Sequence, residues 1–425
     1  MAKITDILVE ANPWWKEKDR YAAEYKEREI YGKIRKFIPL PQIIALTGLR
    51  RVGKTTIMMK IAEDSIREGR GADHIVYFSF DEFRAIEVRD VIKAYEELMG
   101  ADVRHGGFLF LFDEMQKLGG WADQLKGFYD TYKNRAKIVV SGSESLFMRH
   151  GSRETLAGRL FEFKVDPLTF KEFLSFIGAP WHPVGVYEKE LAGLLARFTR
   201  TLGFPELAEV EDKEVIRKYV KESLVEKIVY RDIPRLYKVR DVSTLESLLN
   251  IIMEEPGQMI EMSAMAGDLK ISRQTVAAYL RYLEDSFLVR KLYNFARNRR
   301  KVERKLKKYY PTVVSVDLLF KDDDLSRAKV FEWLLVNQLK AEFFWRDSYK
   351  NEVDVVAGEK APLPVEVKYG KADFKGLLAF MRKFKMDEGW VVSRDVEETK
   401  KIDGKTIHVV PAFKYLMNFS DEVDV

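Results

Sequence analysis

The segment GLRRVGKTT, from Gly48 to Thr56, brings glycines, basic side chains and hydroxyls together in one short stretch. It follows the apolar run QIIALT and precedes IMMKIAEDSI. The apolar run predicts a buried strand, and TTIMMKIAEDSI predicts an amphipathic helix. Its pattern, G-x-x-x-x-G-K-[ST], is one in which backbone N–H groups at a helix N-terminus hold phosphates. Lys54 would reach the β- and γ-phosphates of ATP, and the Thr55 hydroxyl would ligate Mg²⁺. The residues predicted to bind the nucleotide are Gly48, Leu49, Arg50, Arg51, Val52, Gly53, Lys54, Thr55 and Thr56.

A pair of carboxylates, Asp113 and Glu114, follows the apolar run Phe108–Phe112. Carboxylates at the C-terminal end of a buried strand face the crevice in which α/β sheets bind their ligands. We expect Asp113 to hold Mg²⁺ through water and Glu114 to polarise the attacking water. Together with Lys54, the pair predicts a catalytic site for nucleotide hydrolysis.

Serines and arginines downstream could also contact the γ-phosphate. The predicted strand AKIVVSGSES ends in serines, so Ser141 or Ser143 could sense the phosphate, although a serine turn would give the same pattern. Arg153 and Arg159 follow, and each could reach a nucleotide in its own chain or across a contact with a second copy. A solvated surface arginine is the alternative. Ser143 and Arg159 are the candidates for catalytic contacts.

These motifs occur in order with LAGRLFEFKVDPLTFKEF and GFPE. On this basis the chain resembles archaeal and bacterial AAA+-type P-loop ATPases that carry an uncharacterised C-terminal domain. The resemblance implies an α/β fold in which a parallel P-loop NTPase sheet is followed by a helical lid packed over the nucleotide. One departure is Leu202, where a second glycine is expected before Phe204, and it bears on the conformation of that turn.

Residues 241–308 have the pattern of a winged helix-turn-helix. The run SRQTVAAYLRYLEDSFLVRKL predicts a helix capped by Ser272, with Val276, Leu280 and Leu283 facing inward. Residue types that reach base edges and phosphates from a recognition helix would then face outward. These outward residues are Arg273, Gln274, Thr275 and Tyr279.

A basic connector, residues 297–308, joins the two predicted wing strands FLVRKLYNF and KKYYPTVVSVD. It holds eight basic residues and one acid, Glu303. The residues predicted to contact DNA phosphates are Arg299, Arg300 and Lys301. Such binding would be salt-sensitive and largely independent of base sequence. A winged helix that contacts protein, with a solvated basic run beside it, also fits the pattern; DNA is the favoured partner.

The C-terminal part carries acids at spacings that could hold a metal. Glu332 lies in a predicted amphipathic helix, and NEVDVVAG and LPVEVKYG predict adjacent strands. Because residues two apart share a face of a strand, Glu352 lies with Asp354, and Glu366 with Lys368. We expect Glu332, Asp354 and Glu366 to bind a divalent cation and Lys368 to position or activate water. The set resembles the PD-(D/E)xK nuclease fold, which implies a restriction-endonuclease-like α/β domain, with or without cleavage.

The composition sets the remaining expectations. The chain has 425 residues, no cysteine and a net charge of +5. A lack of cysteine excludes disulfides and thiolate zinc sites and favours a cytoplasmic location. No apolar run approaches a membrane span, and a homo-oligomer is compatible with an arginine acting between copies. The predicted domains are a P-loop ATPase domain (1–165), a helical lid (166–240), a winged helix-turn-helix (241–308) and a nuclease-like domain (309–425).

Three functions fit these patterns. The first is an ATP-driven protein that engages and releases DNA through the winged helix. The second is a structure-dependent endonuclease whose metal-dependent cut is gated by ATP. The third is a signalling or interaction ATPase with an inert C-terminal domain, which would have no salt-dependent affinity for DNA.

Overall fold

The computed structural model describes residues 4–17, 25–81, 86–142, 154–298, 300, 302, 306–358, 362–370 and 373–418. The chain divides into two compact units, Met1–Pro167 and Leu168–Val425. The first unit ends close to the predicted border at residue 165. The borders predicted at residues 240 and 308 fall inside the second unit.

Five strands in the described part of the first unit form an all-parallel sheet with the order β2-β3-β4-β1-β5. They are β1 (Ile43–Thr47), β2 (Ile75–Ser79), β3 (Phe108–Asp113), β4 (Ala136–Gly142) and β5 (Leu160–Lys164). Every residue of β1, β3 and β4 is buried, as expected when helices cover both faces of a parallel sheet. The predicted α/β fold with a parallel sheet is confirmed.

Helices precede and connect these strands. They are α1 (Ile4–Ala11), α2 (Glu29–Arg35), α3 (Lys54–Arg67), α4 (Val88–Met99) and α5 (Trp121–Tyr132). Helix α3 begins immediately after the glycine-rich turn and buries Ile57, Met58 and Ile61. These side chains recur at helical spacing and anchor the helix that follows the turn. The motif therefore lies between a buried strand and an amphipathic helix, as predicted.

The second unit begins with helices and ends with a large sheet. None of the helices within the described ranges has the length and apolarity to cross a membrane. Two π-helical stretches, Tyr219–Val225 and Lys227–Asp232, lie between α8 and α9. The helices are α6 (Phe170–Phe176), α7 (Glu188–Thr201), α8 (Lys213–Lys218), α9 (Ile233–Leu236), α10 (Val242–Glu254), α11 (Met262–Asp268), α12 (Arg273–Asp285), α13 (Val316–Leu319), α14 (Asp324–Gln338), α15 (Lys375–Phe384) and α16 (Ala412–Asn418).

Leu202, where a glycine was expected, ends α7 in a left-handed conformation. Its φ is 54°, and that of Gly203 is 74°. A left-handed residue with a side chain costs about 1–2 kcal/mol. Leu202 is buried, so apolar burial of its side chain offsets this cost.

Nine strands in the described part of the second unit form one mixed sheet with the order β13-β14-β12-β11-β10-β9-β7-β8-β6. Strand β8 is antiparallel to both of its neighbours, β6 and β7. Strand β7 continues past this pairing and pairs in parallel with β9. The strands are β6 (Gln258–Met259), β7 (Val289–Asn294), β8 (Lys308–Pro311), β9 (Phe343–Arg346), β10 (Glu352–Ala357), β11 (Leu363–Lys368), β12 (Glu388–Ser393), β13 (Glu398–Ile402) and β14 (Lys405–Pro411). The hairpin predicted as a wing is thus part of the same sheet as the C-terminal strands.

A close helix–strand contact in this unit gives the first prediction. Gly376 lies on α15, where a Cβ atom would sit 2.0 Å from the carbonyl oxygen of Glu352 on β10. Gly376→Ala should therefore force α15 away from the sheet and cost about 1–3 kcal/mol, which a lowered thermal unfolding midpoint would report.

Gly193→Ala is the matched control, because Gly193 lies exposed on α7 and a Cβ atom added there would have no neighbouring atom within 4 Å. This change should stabilise the chain by up to about 1 kcal/mol through helix propensity. A Gly376→Ala protein as stable as the parent would contradict the close contact.

Candidate functional site

The turn between β1 and α3 has backbone angles that suit glycine at two positions. Gly48 has a φ of 141° and Gly53 a φ of 96°, values that L side chains rarely adopt. A Cβ atom on Gly48 would also lie 2.2 Å from the carbonyl oxygen of Val165. The two glycines of the motif therefore set the path of the loop into α3.

Lys54, the first residue of α3, is buried, and its ammonium group lies inside the loop. Nζ donates hydrogen bonds to the carbonyl oxygens of Gly48 at 3.0 Å and Leu49 at 2.7 Å. In P-loop sites this lysine binds phosphate oxygens, which would replace the carbonyls as a nucleotide binds. Of the predicted loop residues, Gly48, Leu49, Val52 and Lys54 are buried, Arg50, Gly53 and Thr56 half-buried, and Arg51 and Thr55 exposed.

Asp113, the last residue of β3, is a buried carboxylate held by hydroxyl groups. Its Oδ2 accepts hydrogen bonds from Thr55 Oγ1 at 2.7 Å and from the Tyr77 hydroxyl at 3.0 Å. Its Oδ1 accepts from Ser141 Oγ. Hydroxyl and carboxylate oxygens are hard ligands of the kind that Mg²⁺ prefers. The chemistry of these groups fits the predicted Mg²⁺ at Thr55 and Asp113.

Glu114 follows in a left-handed conformation, with a φ of 55°. Its Oε2 accepts a hydrogen bond from Gln116 Nε2 at 2.6 Å and lies 3.7 Å from Lys117 Nζ. Lys117 also forms an ion pair with Asp81. A non-glycine residue in this region costs about 1–3 kcal/mol, and such strain is concentrated at functional sites. The backbone thus turns sharply between the two predicted catalytic carboxylates.

Tyr77 is a member of this site that the sequence reasoning missed. Burial, and then the adjacent Asp113 carboxylate, raise the pKa of its phenol well above the usual value, so it stays a hydrogen-bond donor. Asn12 fixes the strand edge here, since its amide donates to Tyr77 O at 2.9 Å and accepts from Tyr77 N at 2.6 Å. A tyrosine in an edge strand gives no local signal of this role.

Arg28 is a second residue that the sequence reasoning missed. It is buried, and its guanidinium donates to the carbonyl oxygens of Val52 and Asp166, both at 2.7 Å. One side chain therefore ties the phosphate loop to the segment that leaves β5. Arg28 lies far ahead of the motif in sequence, so its role could not be found without the fold.

Arg159 lies away from this site in its own chain. It immediately precedes β5, whose first residue, Leu160, pairs with Ile43 at the start of β1. The phosphate loop begins at the carboxyl end of β1, whereas Arg159 lies beside its amino end. Arg159 and the loop are therefore at opposite ends of these parallel strands. Its guanidinium pairs with Asp130 at 2.8 Å. The structure thus contradicts contact with the nucleotide within one chain, and only a role between copies stays a prediction. Ser143 and Arg153 lie outside the described residues.

The C-terminal acids also come together, but around a lysine. Lys308 Nζ lies 2.5 Å from Glu352 Oε1, 3.4 Å from Glu332 Oε1 and 3.8 Å from Asp354 Oδ1. The Lys308 side chain is only 6% exposed. Burial opposes its charge, but the surrounding acids hold the pKa of Lys308 well above its usual value. Lys308, the last residue of the basic connector, therefore points into the protein and is not part of its exposed basic surface.

Neighbouring groups complete this carboxylate cluster. The Tyr310 hydroxyl donates to Glu332 Oε1 at 2.5 Å, and Arg346 pairs with Glu352 at 2.9 Å. Backbone N–H of Val367 donates to Asp354 Oδ2 at 2.9 Å. Within the described residues, no group of three or more His, Cys, Asp or Glu has an arrangement that could hold a metal ion.

Glu366 completes the set of predicted metal ligands. Its Oε1 pairs with Lys368 at 2.7 Å, whereas its buried Oε2 has no hydrogen-bond partner among the described residues. Burial raises the pKa of Glu366 to about 6, and burial with the nearby acids raises that of Asp354. The predicted residues therefore meet, but with an ammonium group among them they do not fit a divalent cation.

The predicted DNA-contacting residues divide between exposed and buried positions. Ser272 Oγ caps α12 by accepting from Thr275 N at 3.1 Å, as predicted. Arg273 and Gln274 are exposed, and Thr275 is half-buried. Tyr279, predicted to face outward, is instead buried, and its hydroxyl donates to the carbonyl oxygen of Asp241 at 3.0 Å. In the basic connector, Arg300 is exposed, and Arg299 and Lys301 lie outside the described residues.

Comparison with known proteins gives three family matches along the chain. Residues 40–174 match the family described as AAA domain. Residues 200–314 and 330–415 match two families described as domains of unknown function, DUF8612 and DUF4143. An uncharacterised protein of Methanocaldococcus jannaschii is 26% identical, over 96% of this chain and 91% of the relative. An uncharacterised protein of Haemophilus influenzae is 25% identical, over 58% of this chain and 61% of the relative.

Solved structures give weaker matches. Cdc6p from Pyrobaculum aerophilum aligns with 75% of this chain and 97% of its own, at 12% identity and a TM-score of 0.32. The replication initiator DnaA, bound to AMPPCP and single-stranded DNA, aligns with 64% of this chain and 92% of its own, at 14% identity and a TM-score of 0.31. Scores this low do not bear on function. The phosphate loop, Asp113 and Glu114 all lie within residues 40–174, the segment that matches the AAA domain family.

Proposed function

We propose that this chain binds ATP with Mg²⁺ at the turn between β1 and α3 and hydrolyses it. The observation that carries the proposal is the 2.7 Å hydrogen bond from Thr55 Oγ1 to Asp113 Oδ2. It brings the two predicted Mg²⁺ ligands together from different segments, at the carboxyl ends of parallel strands, where α/β sheets bind ligands.

Each residue has a distinct part in this reaction. Backbone N–H groups of the loop and the Lys54 ammonium would bind the phosphates. Mg²⁺ would neutralise charge that develops on the β- and γ-phosphate oxygens. Thr55 and Asp113 would hold the ion, and Glu114 would orient and polarise the attacking water. Arg28 would act only by positioning, since it contacts the loop backbone at Val52.

Two substitutions separate binding from turnover. Lys54→Ala removes a charged phosphate contact and should weaken ATP binding, by about 1.5–3 kcal/mol for a charge-assisted hydrogen bond. Glu114→Gln should leave binding near that of the parent and lower kcat by roughly 10²-fold or more, because the water loses its base. Nucleotide titration and a phosphate-release assay measure the two effects.

Exposed residues of the same unit supply matched controls. Lys93 and Glu97 lie on α4 with side chains 78% and 66% exposed. Lys93→Ala and Glu97→Gln should leave both binding and turnover unchanged. If Lys54→Ala and Glu114→Gln hydrolyse ATP as the parent does, the site has been assigned wrongly.

The second part of the proposal is that the chain engages DNA through α12 and the basic connector. Supporting it are the helix order α10, α11, α12, the Ser272 cap, and the exposed side chains of Arg273 and Gln274 at the start of α12. Strands β6, β8 and β7 pair antiparallel in the manner of a wing, with β6 between α10 and α11 and with β7 and β8 after α12. The basic connector joins two of these strands.

Neutralising the connector should weaken DNA binding without changing base preference. The triple substitution of Arg299, Arg300 and Lys301 to alanine should reduce the log–log salt slope by up to about one unit per lost phosphate contact. Fluorescence anisotropy at several salt concentrations, with Arg394→Ala as a control at an exposed ion pair, measures the slope.

The same titration decides between partner classes. An unchanged affinity and slope in the folded triple variant would place the contact elsewhere. A parent protein without any salt-dependent DNA affinity would favour an interaction ATPase that binds protein through α12. A metal-dependent endonuclease is not proposed, because Lys308 lies among the acids that such a site would use.

A further inference from the structure

The carboxylate cluster of the second unit assembles from separate segments around one amine. Glu332 comes from α14, Glu352 and Asp354 come from β10, and Glu366 comes from β11. Lys308 comes from β8, in the hairpin predicted as a wing. Its Nζ lies within 3.8 Å of carboxylate oxygens of Glu332, Glu352 and Asp354. The amine therefore lies where these acids converge.

An ammonium group at this position competes directly with a divalent cation. Divalent ions bind carboxylate oxygens at about 2.0–2.6 Å, and Lys308 Nζ lies 2.5 Å from Glu352 Oε1. An ammonium has no lone pair to give to a metal. It would also repel a second cation at short range, with little screening because the side chain is buried. Binding of a metal would thus require Lys308 to leave.

Strand β8 gives Lys308 little freedom to leave. The residue pairs with Leu292 of β7 on one side and with Met259 of β6 on the other. Two residues on, Tyr310 shares the inward face and donates to Glu332. Lys308 and Tyr310, which share one face of β8, thus both contact Glu332 of α14.

We propose that Lys308 is the resident cation of the carboxylate cluster, taking the place that a divalent ion holds in a nuclease of similar fold. The cluster joins the hairpin to α14 and the C-terminal strands, binds no divalent metal and does not cleave phosphodiester bonds. This inference does not depend on the proposed ATPase or DNA-binding activity. Its grounds are the position, burial and ion pairs of Lys308.

The balance of charges around the cluster supports this assignment. Among the described residues of the cluster, four acids face three basic side chains: Lys308, Arg346 on Glu352 and Lys368 on Glu366. Glu366 Oε2 is a buried oxygen of the cluster without a hydrogen-bond partner among the described residues. Removal of the Lys308 charge would leave the acids under-compensated, so a divalent cation would become the best available replacement.

The decisive experiment exchanges the amine for an uncharged side chain of similar length in the full chain. The measurement is calorimetric titration with Mn²⁺ in the absence of nucleotide. The parent should bind no ion at the cluster, so the parent and Asp354→Asn should give identical heats. Lys308→Met should gain about one Mn²⁺ per chain, in the affinity range of protein carboxylate sites. This gain should disappear in Lys308→Met combined with Asp354→Asn.

Thermal unfolding keeps the test decisive if Lys308→Met folds poorly. Because Lys308→Met removes one partner of a buried ion pair, the thermal unfolding midpoint of this variant should be lower than that of the parent by roughly 10 °C or more. Lys308→Met combined with Glu352→Gln should recover part of that loss, because the matching acid is also removed. Lys321→Met, at an ion pair whose side chains are 67% and 41% exposed, is the control and should change little.

Several outcomes would overturn the inference. One is Mn²⁺ binding by the parent that Asp354→Asn abolishes, or Mg²⁺-dependent nicking of supercoiled DNA by the parent that Asp354→Asn abolishes. Another is a Lys308→Met protein as stable as the parent that gains no ion. A double variant with Glu352→Gln that is no more stable than Lys308→Met alone would equally contradict it.

Discussion

A charged side chain removed from water must be compensated by its neighbours, and this constraint shapes both candidate sites of the chain. Uncompensated burial of a charge costs several kcal/mol even after the protein relaxes. Asp113 receives hydroxyl hydrogen bonds from Thr55, Tyr77 and Ser141. These groups come from helix α3 and from strands on either side of β3. The need to satisfy one carboxylate therefore aligns the segments that form the proposed nucleotide site.

The two units meet the same constraint with different groups, and this difference decides what each site can bind. Hydroxyls around Asp113 are neutral and can themselves ligate a metal ion. Lys308 carries a full charge and cannot. The acids of the second unit are thus satisfied in a way that excludes a divalent ion. A carboxylate cluster therefore predicts a metal ion only where no lysine or arginine of the chain already compensates the carboxylates.

The sequence alone predicted the parts of the fold and site that depend on contiguous residues. The glycine-rich motif, Asp113 and the flanking strand and helix lie where periodicity and spacing indicated. Tyr77 and Arg28 could not be predicted, since they reach the site from distant segments through folding. Ser272 was identifiable as a cap because capping is local.

Tyr279 and Lys308 are both buried, and their burial went unrecognised in the sequence for two separate reasons. Tyr279 lies three residues after Val276, a spacing that places both on one helix face. The sequence therefore contained a signal for burial. The prediction instead followed the residue type, because tyrosine can contact bases and phosphates. Lys308 closes a basic run whose other members gave no sign that one would turn inward. In strand β8, the alternation that puts Lys308 with Tyr310 was the available signal. The alternation alone does not show what Lys308 contacts, because the acids from α14 and β10 come near it only in the tertiary fold.

The position of Lys308 also bears on how the hairpin is attached to the rest of the second unit. The hairpin of β7 and β8 flanks the basic connector, and it is fixed to the C-terminal strands twice, through the β7–β9 pairing and through the carboxylate cluster. Loss of the Lys308 charge would remove the second of these two connections and leave the β7–β9 pairing in place. A nuclease-like arrangement of acids is in this way consistent with a structural role, because attraction to the buried amine offsets part of the mutual repulsion among the carboxylates.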